Sequence, residues 1–422
     1  MRSSTILLLA ALAAAPATAG TFTVNSEADV PDDDIGDGTC HAELGIPGVC
    51  TLRAAVQEAN ANPGTDTISL TAGQRYTLTR SGQDADASEG DLDINDDVTI
   101  FFFASGERPI VDANGLERAF EVNSGNVTML GFDITGGDAT LPGDAAGGGV
   151  AVNFDAGNVQ VSLMRFYGNR ANFGGGFYND GANTTLSASE LYDNEIQDDF
   201  TDSAGAAILN RGTLTVDHSS VYENSGVGDF GSIAIENVPP FTGSPTLIVI
   251  DTTVATNVGV GIESQDESTL VVRNSTIAGN SATGVRIGGV GGTFQMRNSV
   301  IAKNGSEDCV ISIVADLNLD RYNMDSDDTC ELAAGSSNYP GVEPYLTPPL
   351  RRGGFGRVSW PLTMSPLIEQ GHPVIGAIGC EEDDQDFVER PVDFDGDGTA
   401  RCDVGAIELS DDVIFFDPME RL

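Results

Sequence analysis

The sequence has very few basic residues. It contains 20 Lys and Arg against 64 Asp and Glu, Lys303 is its only lysine, and the formal net charge is −44. Nucleic acids and anionic membranes attract basic surfaces, so this charge argues against both as partners. It argues less strongly against unaided binding of polyanionic sugars. The acidity favours solubility, cation binding or a salty medium, and a simple solvated acidic surface explains it equally well.

The centre of the chain also lacks an apolar run long enough for a transmembrane helix. A shorter apolar run covers residues 6–15, after Arg2 and before the small-x-small pattern Ala17-Thr18-Ala19. These features predict a secretory signal peptide over residues 1–19 and a mature chain that begins at Gly20.

Histidine is scarce and no Cys-x-x-Cys motif is present, so a cysteine-based metal site is disfavoured. The six cysteines permit 15 pairings. Sequential pairing is favoured because each pair then closes a short loop outside the repeats, and disulfides agree with export. The predicted disulfides are Cys40–Cys50, Cys309–Cys330 and Cys380–Cys402.

A repeat runs through the middle of the chain, marked by an asparagine every 23 to 33 residues. Apolar residues stand three, eight and ten positions before each asparagine, with Thr184 as the exception, and Ser or Thr mostly stands five before. The positions ten and eight before each asparagine are two residues apart, so they face the same side of a short strand. The period of the repeat predicts a solenoid. The marker residues are Asn169, Asn194, Asn224, Asn257, Asn280 and Asn304.

Each repeat holds about three short strands, and stacking of the repeats places equivalent residues of successive repeats above one another. The asparagine column is therefore predicted to be structural, since Asn tolerates left-handed turns and its amide bonds along a ladder. The alternative repeat architecture, an antiparallel propeller, needs blades of about 40 residues or more. The fold prediction is an all-β, right-handed parallel β-helix.

The caps are predicted from the ends of the repeat. Thr51 N-caps a short amphipathic helix that covers the open end of the hydrophobic stack. The predicted organisation is a signal peptide (1–19), an N-terminal cap (20–75), β-helix coils (76–305), a disulfide-clipped C-terminal cap region (306–410) and a tail (411–422).

The segment Cys50-Thr51-Leu52-Arg53-Ala54-Ala55 resembles the CSLREA signature of secreted bacterial parallel β-helix proteins with a pectin-lyase-like fold. Thr51 replaces the usual Ser and Ala54 the usual Glu. The tail, residues 412–420, resembles more weakly an "IFxDGFE" motif on exported proteins of Gram-negative bacteria. The resemblance implies a fold and an exported location, extracellular or on the outer cell surface, but no reaction.

The best candidate metal site is the run Asp393, Asp395 and Asp397, with Asp403 nearby. Alternate carboxylates followed by glycine resemble the first half of an EF-hand calcium loop. Val404 stands where that loop has a bidentate Glu, so a polar turn between cysteines is the competing interpretation. Asp32, Asp34 and Asp37 form a weaker version of the same pattern.

Parallel β-helices include lyases and hydrolases, so candidate catalytic residues are also considered. The candidates are Asp198, Asp199 and Asp202 in an insertion, and Arg273 and Arg297, which share one repeat position and are expected to point outward on adjacent rungs. Solvated surface residues explain both groups as well. His218 and His372 lie in different regions, and His218 is expected to be a surface or satisfied residue.

The functional prediction is a non-catalytic, adhesin-like protein that binds glycans or cell surfaces, with calcium as the candidate cofactor. The first alternative is a polysaccharide lyase or glycosidase, and the second is a structural envelope component.

Overall fold

The structure is a computed structural model that describes residues 19–410 except 44, 141–144, 182, 198–204, 227–231, 241–242, 313–315, 320, 334–336, 352–353, 355 and 377–378. Residues 1–18 of the predicted signal peptide, the predicted tail and the candidates Asp198, Asp199 and Asp202 lie outside the described residues.

Short strands dominate the described chain, and one helix, α1, spans Leu52–Ala61. The first strands are β1 (Thr21–Thr23), β2 (Asp66–Ser69), β3 (Arg75–Thr77), β4 (Leu92–Ile94), β5 (Val98–Phe101), β6 (Ile110–Asp112), β7 (Phe120–Val122), β8 (Gly125–Leu130), β9 (Asp133–Thr135), β10 (Asp138–Ala139), β11 (Val150–Val152), β12 (Ala156–Ser162), β13 (Arg165–Tyr167), β14 (Arg170–Ala171), β15 (Phe177–Asn179), β16 (Asn183–Ser187) and β17 (Glu190–Tyr192). The later strands are β18 (Glu195–Ile196), β19 (Ile208–Asn210), β20 (Thr213–Asp217), β21 (Ser220–Tyr222), β22 (Ser225–Gly226), β23 (Ile233–Asn237), β24 (Thr246–Ile250), β25 (Thr253–Ala255), β26 (Val260–Ser264), β27 (Thr269–Arg273), β28 (Thr276–Ala278), β29 (Val285–Ile287), β30 (Thr293–Arg297), β31 (Val300–Ala302), β32 (Cys309–Ile311), β33 (Asp316–Leu319) and β34 (Met324–Asp325).

The strands form a parallel β-helix. Sheet A has 11 strands (β1-β2-β5-β8-β12-β16-β20-β24-β27-β30-β33), sheet B has 10 (β3-β6-β9-β13-β17-β21-β25-β28-β31-β34), sheet C has nine (β4-β7-β11-β15-β19-β23-β26-β29-β32) and sheet D has four (β10-β14-β18-β22). One coil runs through β15, β16, β17 and β18, in sheets C, A, B and D, before the chain enters β19 in the next coil. Neighbouring strands pair in parallel, as in β16 with β20. The predicted fold class is confirmed, and a right-handed path is the usual hand of parallel crossovers.

The predicted apolar columns form the core. Val161 and Leu186 pair in sheet A, Phe166 and Leu191 pair in sheet B, and all four are fully buried. Each coil leaves its apolar face open at both ends, so stacking on the next coil is what removes these side chains from water.

The asparagine column is a buried ladder. Asn194 Nδ2 donates to Asn224 Oδ1 at 3.0 Å, and Asn224 Nδ2 donates to Asn257 Oδ1 at 2.9 Å. The left-handed backbone belongs to the residue before each asparagine, such as Asp193 with φ 53° and Glu223 with φ 56°. The asparagines therefore contribute the ladder hydrogen bonds, and the preceding residue contributes the turn geometry.

The Ser/Thr column forms a second ladder, at the turn from sheet A to sheet B. The backbone N–H of Ser189 donates to Ser219 Oγ at 3.1 Å, and that of Ser219 donates to Thr252 Oγ1 at 3.2 Å. Again the preceding residues are left-handed, including His218 with φ 46° and Asp251 with φ 41°.

Helix α1 covers the N-terminal end of the stack. Thr51 Oγ1 accepts the N–H of Ala54 at 3.1 Å, as expected for an N-cap. Arg53 of the CSLREA-like segment is 1% exposed; its Nε lies 2.6 Å from Asp29 Oδ1, and its Nη2 donates to the Gly90 carbonyl at 2.8 Å. Arg53 thus fastens the helix to the loop before β4.

The C-terminal region both closes the stack and covers one side of it. The strands β32, β33 and β34 add a further rung, and the Cys309–Cys330 disulfide lies at its end. The described part of residues 338–410, named here the lateral segment, lies along sheet B. Ser220 Oγ donates to the Arg357 carbonyl at 2.9 Å, and the N–H of Ala406 donates to Thr276 Oγ1 at 3.0 Å.

The cysteines pair sequentially, as Cys40–Cys50, Cys309–Cys330 and Cys380–Cys402. In the described part of the chain, no helix is long and apolar enough to cross a membrane. The domain boundaries stay predictions.

Candidate functional site

Three tyrosines stack on consecutive rungs of sheet B. Tyr167, Tyr192 and Tyr222 pair in register, with ring centroids 5.2 and 5.1 Å apart and interplanar angles of 12° and 4°. In each strand the middle residue is buried in the core, so its two neighbours face outward. Tyr167 and Tyr192 are half-buried, whereas Tyr222 lies beneath the Arg357 guanidinium at 4.9 Å from its ring centroid.

The other outward column of sheet B carries charges. Asp133, Arg165 and Glu190 follow one another in register, and Arg165 Nε lies 3.1 Å from Glu190 Oε1. Arg108 Nε lies 2.6 Å from Asp133 Oδ1. Arg351, from the lateral segment, also binds the Glu190 carboxylate. With Arg108 and Arg351, which reach the column from outside it, three guanidinium groups surround its two carboxylates, which is unusual in a protein of net charge −44.

Glu190 is the centre of this network. Its side chain is 2% exposed, and its Oε2 accepts the Tyr222 hydroxyl at 2.9 Å. Burial, and then the negative charge of Glu190, raise the pKa of Tyr222 and raise the pKa of Tyr192 to about 12. Burial raises the pKa of Tyr167 as well. The three phenols therefore stay neutral at physiological pH and remain hydrogen-bond donors.

Two cavities continue this surface toward the N-terminal rungs. One, of about 350 Å³, is lined by Phe103, Arg108, Leu163 and their neighbours, and the other, of about 220 Å³, is lined by Arg108, Leu163, Arg165, Glu190 and Arg351. They share Arg108 and Leu163 as lining residues, so they are adjacent on this face. Phe103, which lines the first, is 79% exposed. The two cavities together with Tyr167 and Tyr192 are named here the aromatic groove.

The arginines predicted from the sequence lie outside this groove. Arg273 and Arg297 pair on adjacent strands of sheet A, as their shared repeat position predicts. The Arg297 side chain is only 11% exposed, because the lateral segment brings Glu381 Oε1 to 3.8 Å from its Nη2. Both arginines thus lie on the outer face of sheet A, and the lateral segment covers Arg297.

The predicted acidic loop gains a residue from a distant segment. Asp393, Asp395 and Asp397 group with Glu369, with one ligand oxygen of each within 4.8 Å of the others. Glu369 Oε1 accepts the backbone N–H of Phe394 at 2.5 Å. Carboxylates so close together repel one another unless a cation or protons compensate them, and such oxygen donors suit Ca²⁺.

Asp403 takes no part in this cluster. It is 1% exposed, and its two carboxylate oxygens accept the backbone N–H groups of Glu369 and Leu409 at 2.7 and 2.8 Å. Asp403 therefore positions Glu369 through the backbone. In the weaker candidate site near the N-terminus, both carboxylate oxygens of Asp32 likewise accept backbone N–H groups, those of Asp34 and His41.

The sequence itself carries a signal for the tyrosine ladder. Tyr167, Tyr192 and Tyr222 each stand two positions before a ladder asparagine, in three successive repeats. Phe103 and Arg351 have no such signal, because neither belongs to the regular repeat.

No protein-family profile matches the sequence, and no curated protein has significant similarity to it. Solved structures with a similar fold include pectate lyase Pel9A, with 16% identity over 93% of this chain and 98% of that chain and a TM-score of 0.41. A rhamnogalacturonan lyase has 12% identity over 82% and 96%, with a TM-score of 0.45. The Dettilon tailspike protein has 13% identity over 65% and 58%, with a TM-score of 0.32. Similarity at this level concerns the fold alone.

Proposed function

We propose that this protein binds polysaccharide chains in the aromatic groove without cleaving them, as an exported, adhesin-like protein. The observation that carries the proposal is the tyrosine ladder beside a groove with an exposed aromatic ring and several guanidinium groups. Sugar rings present apolar C–H faces and polar hydroxyl edges. A binding site for them needs flat apolar surfaces together with a few fixed polar groups.

Phe103 supplies an exposed ring, and the ladder supplies aromatic edges and hydroxyl groups in a repeating form, because its rings stack face to face. Successive rungs of a β-helix are spaced by about 4.8 Å, so equivalent tyrosine groups recur along the solenoid axis. Tyr167 and Tyr192 offer their exposed edges and hydroxyl groups, and the arginines of the neighbouring column offer fixed donors. An extended ligand lying along the axis meets the same chemistry at each rung, which suits a polymer better than a small molecule.

The carboxylates of the groove favour binding over catalysis. A general acid or nucleophile must reach the reacting bond and change its protonation or bonding during the reaction. Glu190 is buried and engaged by Arg165, Arg351 and the Tyr222 hydroxyl, and Asp133 is engaged by Arg108. Both carboxylates are thus held in ion pairs that orient the arginines toward a ligand.

Export is supported by two features. The three disulfides require an oxidising compartment to form and persist. The first 19 residues have the charged, apolar and small-residue order of a signal peptide. A bacterial source follows only from the CSLREA-like resemblance, and it belongs to this proposal.

Calcium is the proposed cofactor, at Glu369, Asp393, Asp395 and Asp397. Among the described residues, none of these four carboxylates forms an ion pair with a basic side chain. Glu369 supplies the acidic group that the loop sequence itself lacks at its end. A bound Ca²⁺ would join two stretches of the lateral segment and stabilise it by mass action.

The glycan proposal is tested with a panel of neutral and acidic polysaccharides, measured by affinity electrophoresis and by assays for reducing ends and unsaturated products. We expect retention by at least one glycan without product formation. The double variant Tyr167→Ala/Tyr192→Ala should weaken retention about tenfold or more, since each aromatic contact contributes about 0.5–1.5 kcal/mol. Tyr345→Ala, at an exposed tyrosine of the lateral segment, is the matched control.

Each other outcome counts against the proposal. Product formation would show an enzyme and overturn the non-catalytic assignment. Absence of retention by every glycan would favour a structural envelope component. Equal losses in the double variant and in Tyr345→Ala would remove the binding site from the aromatic groove.

The calcium proposal is tested by calorimetric titration of Ca²⁺ and by melting temperature in Ca²⁺ and in chelator. Asp395→Asn should abolish the heat and the thermal shift, because it removes one charged ligand from the cluster. Asp155→Asn, at an exposed aspartate on the solenoid, should change neither. A wild-type protein with no heat and no shift would rule calcium out.

A further inference from the structure

A polar cluster lies at the turn from sheet A to sheet B, away from the aromatic groove and from the acidic loop. Asp217 ends β20, His218 follows it in the turn, and Asp251 occupies the same turn one rung further on. One ligand atom of each lies within 4.8 Å of the others, and His218 Nδ1 is 2.8 Å from Asp217 Oδ1. Two carboxylate oxygens and one imidazole nitrogen thus converge on one point.

Of the two roles expected for His218, a surface or a satisfied residue, the structure shows the second, because both ring nitrogens have partners. Its ring stacks on Phe387 with centroids 4.4 Å apart, and its side chain is 11% exposed. Its Nε2 lies 3.3 Å from Asp383 Oδ1, in the lateral segment. One ring nitrogen therefore faces the two aspartates of the turns, and the other faces a carboxylate behind it.

Asp251 contains a buried oxygen that no hydrogen bond explains. The residue is fully buried, and its Oδ1 lies 3.3 Å from Arg390 Nη2. Its Oδ2 has no hydrogen-bond partner among the described residues. Buried polar atoms are almost always paired, and a carboxylate oxygen without a partner costs about 1–3 kcal/mol or more. Something outside the chain is therefore expected to contact this oxygen.

Asn274, on the next rung, also has buried side-chain atoms without a hydrogen-bond partner among the described residues. The backbone N–H of Asp251 donates to the Arg273 carbonyl at 3.2 Å, which places Asn274 directly after the partner residue in the stack. Asn274 is fully buried, and neither its Oδ1 nor its Nδ2 has a hydrogen-bond partner in the described part of the chain. Two adjacent rungs thus hold buried acceptor oxygens without donors.

We propose that Asp217, His218 and Asp251 form a binding site for a divalent transition metal such as Zn²⁺. His218 Nδ1 and one oxygen from each aspartate are the ligands, with Asp251 coordinating through Oδ2. Imidazole nitrogen and carboxylate oxygen are ordinary zinc ligands, and three protein ligands leave a position for water. Asn274 occupies the equivalent turn position one rung after Asp251. Because a nitrogen donor is included, the site suits a transition metal better than Ca²⁺, which prefers oxygen alone.

The residues around the three proposed ligands are of the kinds that orient metal ligands in protein metal sites. A histidine that binds metal through one nitrogen usually donates its other N–H to a carboxylate, and Asp383 is so placed at Nε2. Arg390 holds Asp251 Oδ1 and leaves Oδ2 for coordination. Asp383 and Arg390 both belong to the lateral segment. A metal at this point would therefore connect two rungs of the solenoid and fasten the lateral segment to them.

The test is titration of the folded full chain with Zn²⁺ by calorimetry, and with Co²⁺ by visible absorption, because the d–d bands of Co²⁺ report its coordination number and geometry. We expect one equivalent of Zn²⁺ and a higher melting temperature. His218→Ala and Asp217→Asn should each weaken binding at least tenfold. Asp217 is half-buried at the end of a strand, so its isosteric variant keeps the proposal testable if His218→Ala folds poorly.

The controls separate this site from other metal-binding groups. His372→Ala removes the histidine of the lateral segment, and Asp395→Asn disables the acidic loop; both should bind Zn²⁺ like the wild type. The proposal would be overturned by a wild-type protein that binds no Zn²⁺, or by unchanged affinity in either ligand variant. These results are independent of whether the protein binds glycans or calcium.

Discussion

Replacing Asn224 by alanine tests how the asparagine ladder stabilises the solenoid. Asn224 Nδ2 donates to the Leu191 carbonyl at 2.9 Å and to Asn257 Oδ1 at 2.9 Å. Its Oδ1 accepts the backbone N–H of Asn194 at 3.1 Å and the Asn194 amide at 3.0 Å. All of these groups are buried, and the rungs on both sides exclude water from them.

The expected cost follows from the number of groups that lose a partner. In Asn224→Ala, Asn257 Oδ1 keeps the backbone N–H at position 224, and Asn194 Nδ2 keeps its bond to the Phe166 carbonyl. Two groups lose the only bond described for them above, namely the backbone N–H of Asn194 and the Leu191 carbonyl. Each such group costs about 1 kcal/mol or more when water cannot replace the partner. We therefore expect the free energy of unfolding to fall by about 2 kcal/mol, reduced somewhat if a water enters the space left by the side chain.

The assay is equilibrium urea unfolding with the disulfides intact, followed by circular dichroism. Asn158→Ala is the matched control, because Asn158 is exposed and should change the free energy of unfolding by less than about 0.5 kcal/mol. Hydrogen exchange adds a local readout, since the Asn194 amide should lose protection in Asn224→Ala. A loss below about 1 kcal/mol with unchanged exchange at Asn194 would refute the structural importance of the ladder.

Three further predictions concern charge and cross-links. Burial raises the pKa of Glu236 to about 8, so the unfolded chain binds fewer protons than the folded one between pH 4.5 and 8. This carboxyl therefore lowers stability as pH rises through that window, and Glu236→Gln should show a smaller loss of melting temperature from pH 5 to pH 8. Arg390→Met leaves the buried carboxylate of Asp251 unpaired, so we expect the free energy of unfolding to fall by about 3–5 kcal/mol. The lateral segment should then be proteolysed faster than in the wild type, and an unchanged rate of proteolysis would contradict this. Replacing Cys309 and Cys330 by alanine opens a loop of sequence separation 21 and should cost about 3 kcal/mol in urea unfolding; an unchanged midpoint would contradict it.

The sequence determined the solenoid because its information is local and repeated. Val161 and Leu186 stand eight positions before their asparagines, and both face the core. Two-residue alternation fixes which side chains face inward, and parallel stacking copies that choice from rung to rung. The Thr51 cap of helix α1 is equally local. The tyrosine ladder also lay in the repeat, two positions before Asn169, Asn194 and Asn224.

The charged groups that complete the sites could be placed only by the tertiary structure. Glu369 joins the acidic loop in place of Asp403, Arg351 reaches Glu190 across 161 residues, and Asp383 reaches His218 across 165 residues. Each of these contacts involves the lateral segment, which has no repeat and little regular secondary structure. The path of the lateral segment is set by its packing against the outer face of sheet B. Many contacts between residues distant in sequence together determine which side chains lie close to one another. No spacing within the sequence predicts these contacts, because the contacting residues belong to segments whose separation follows no period.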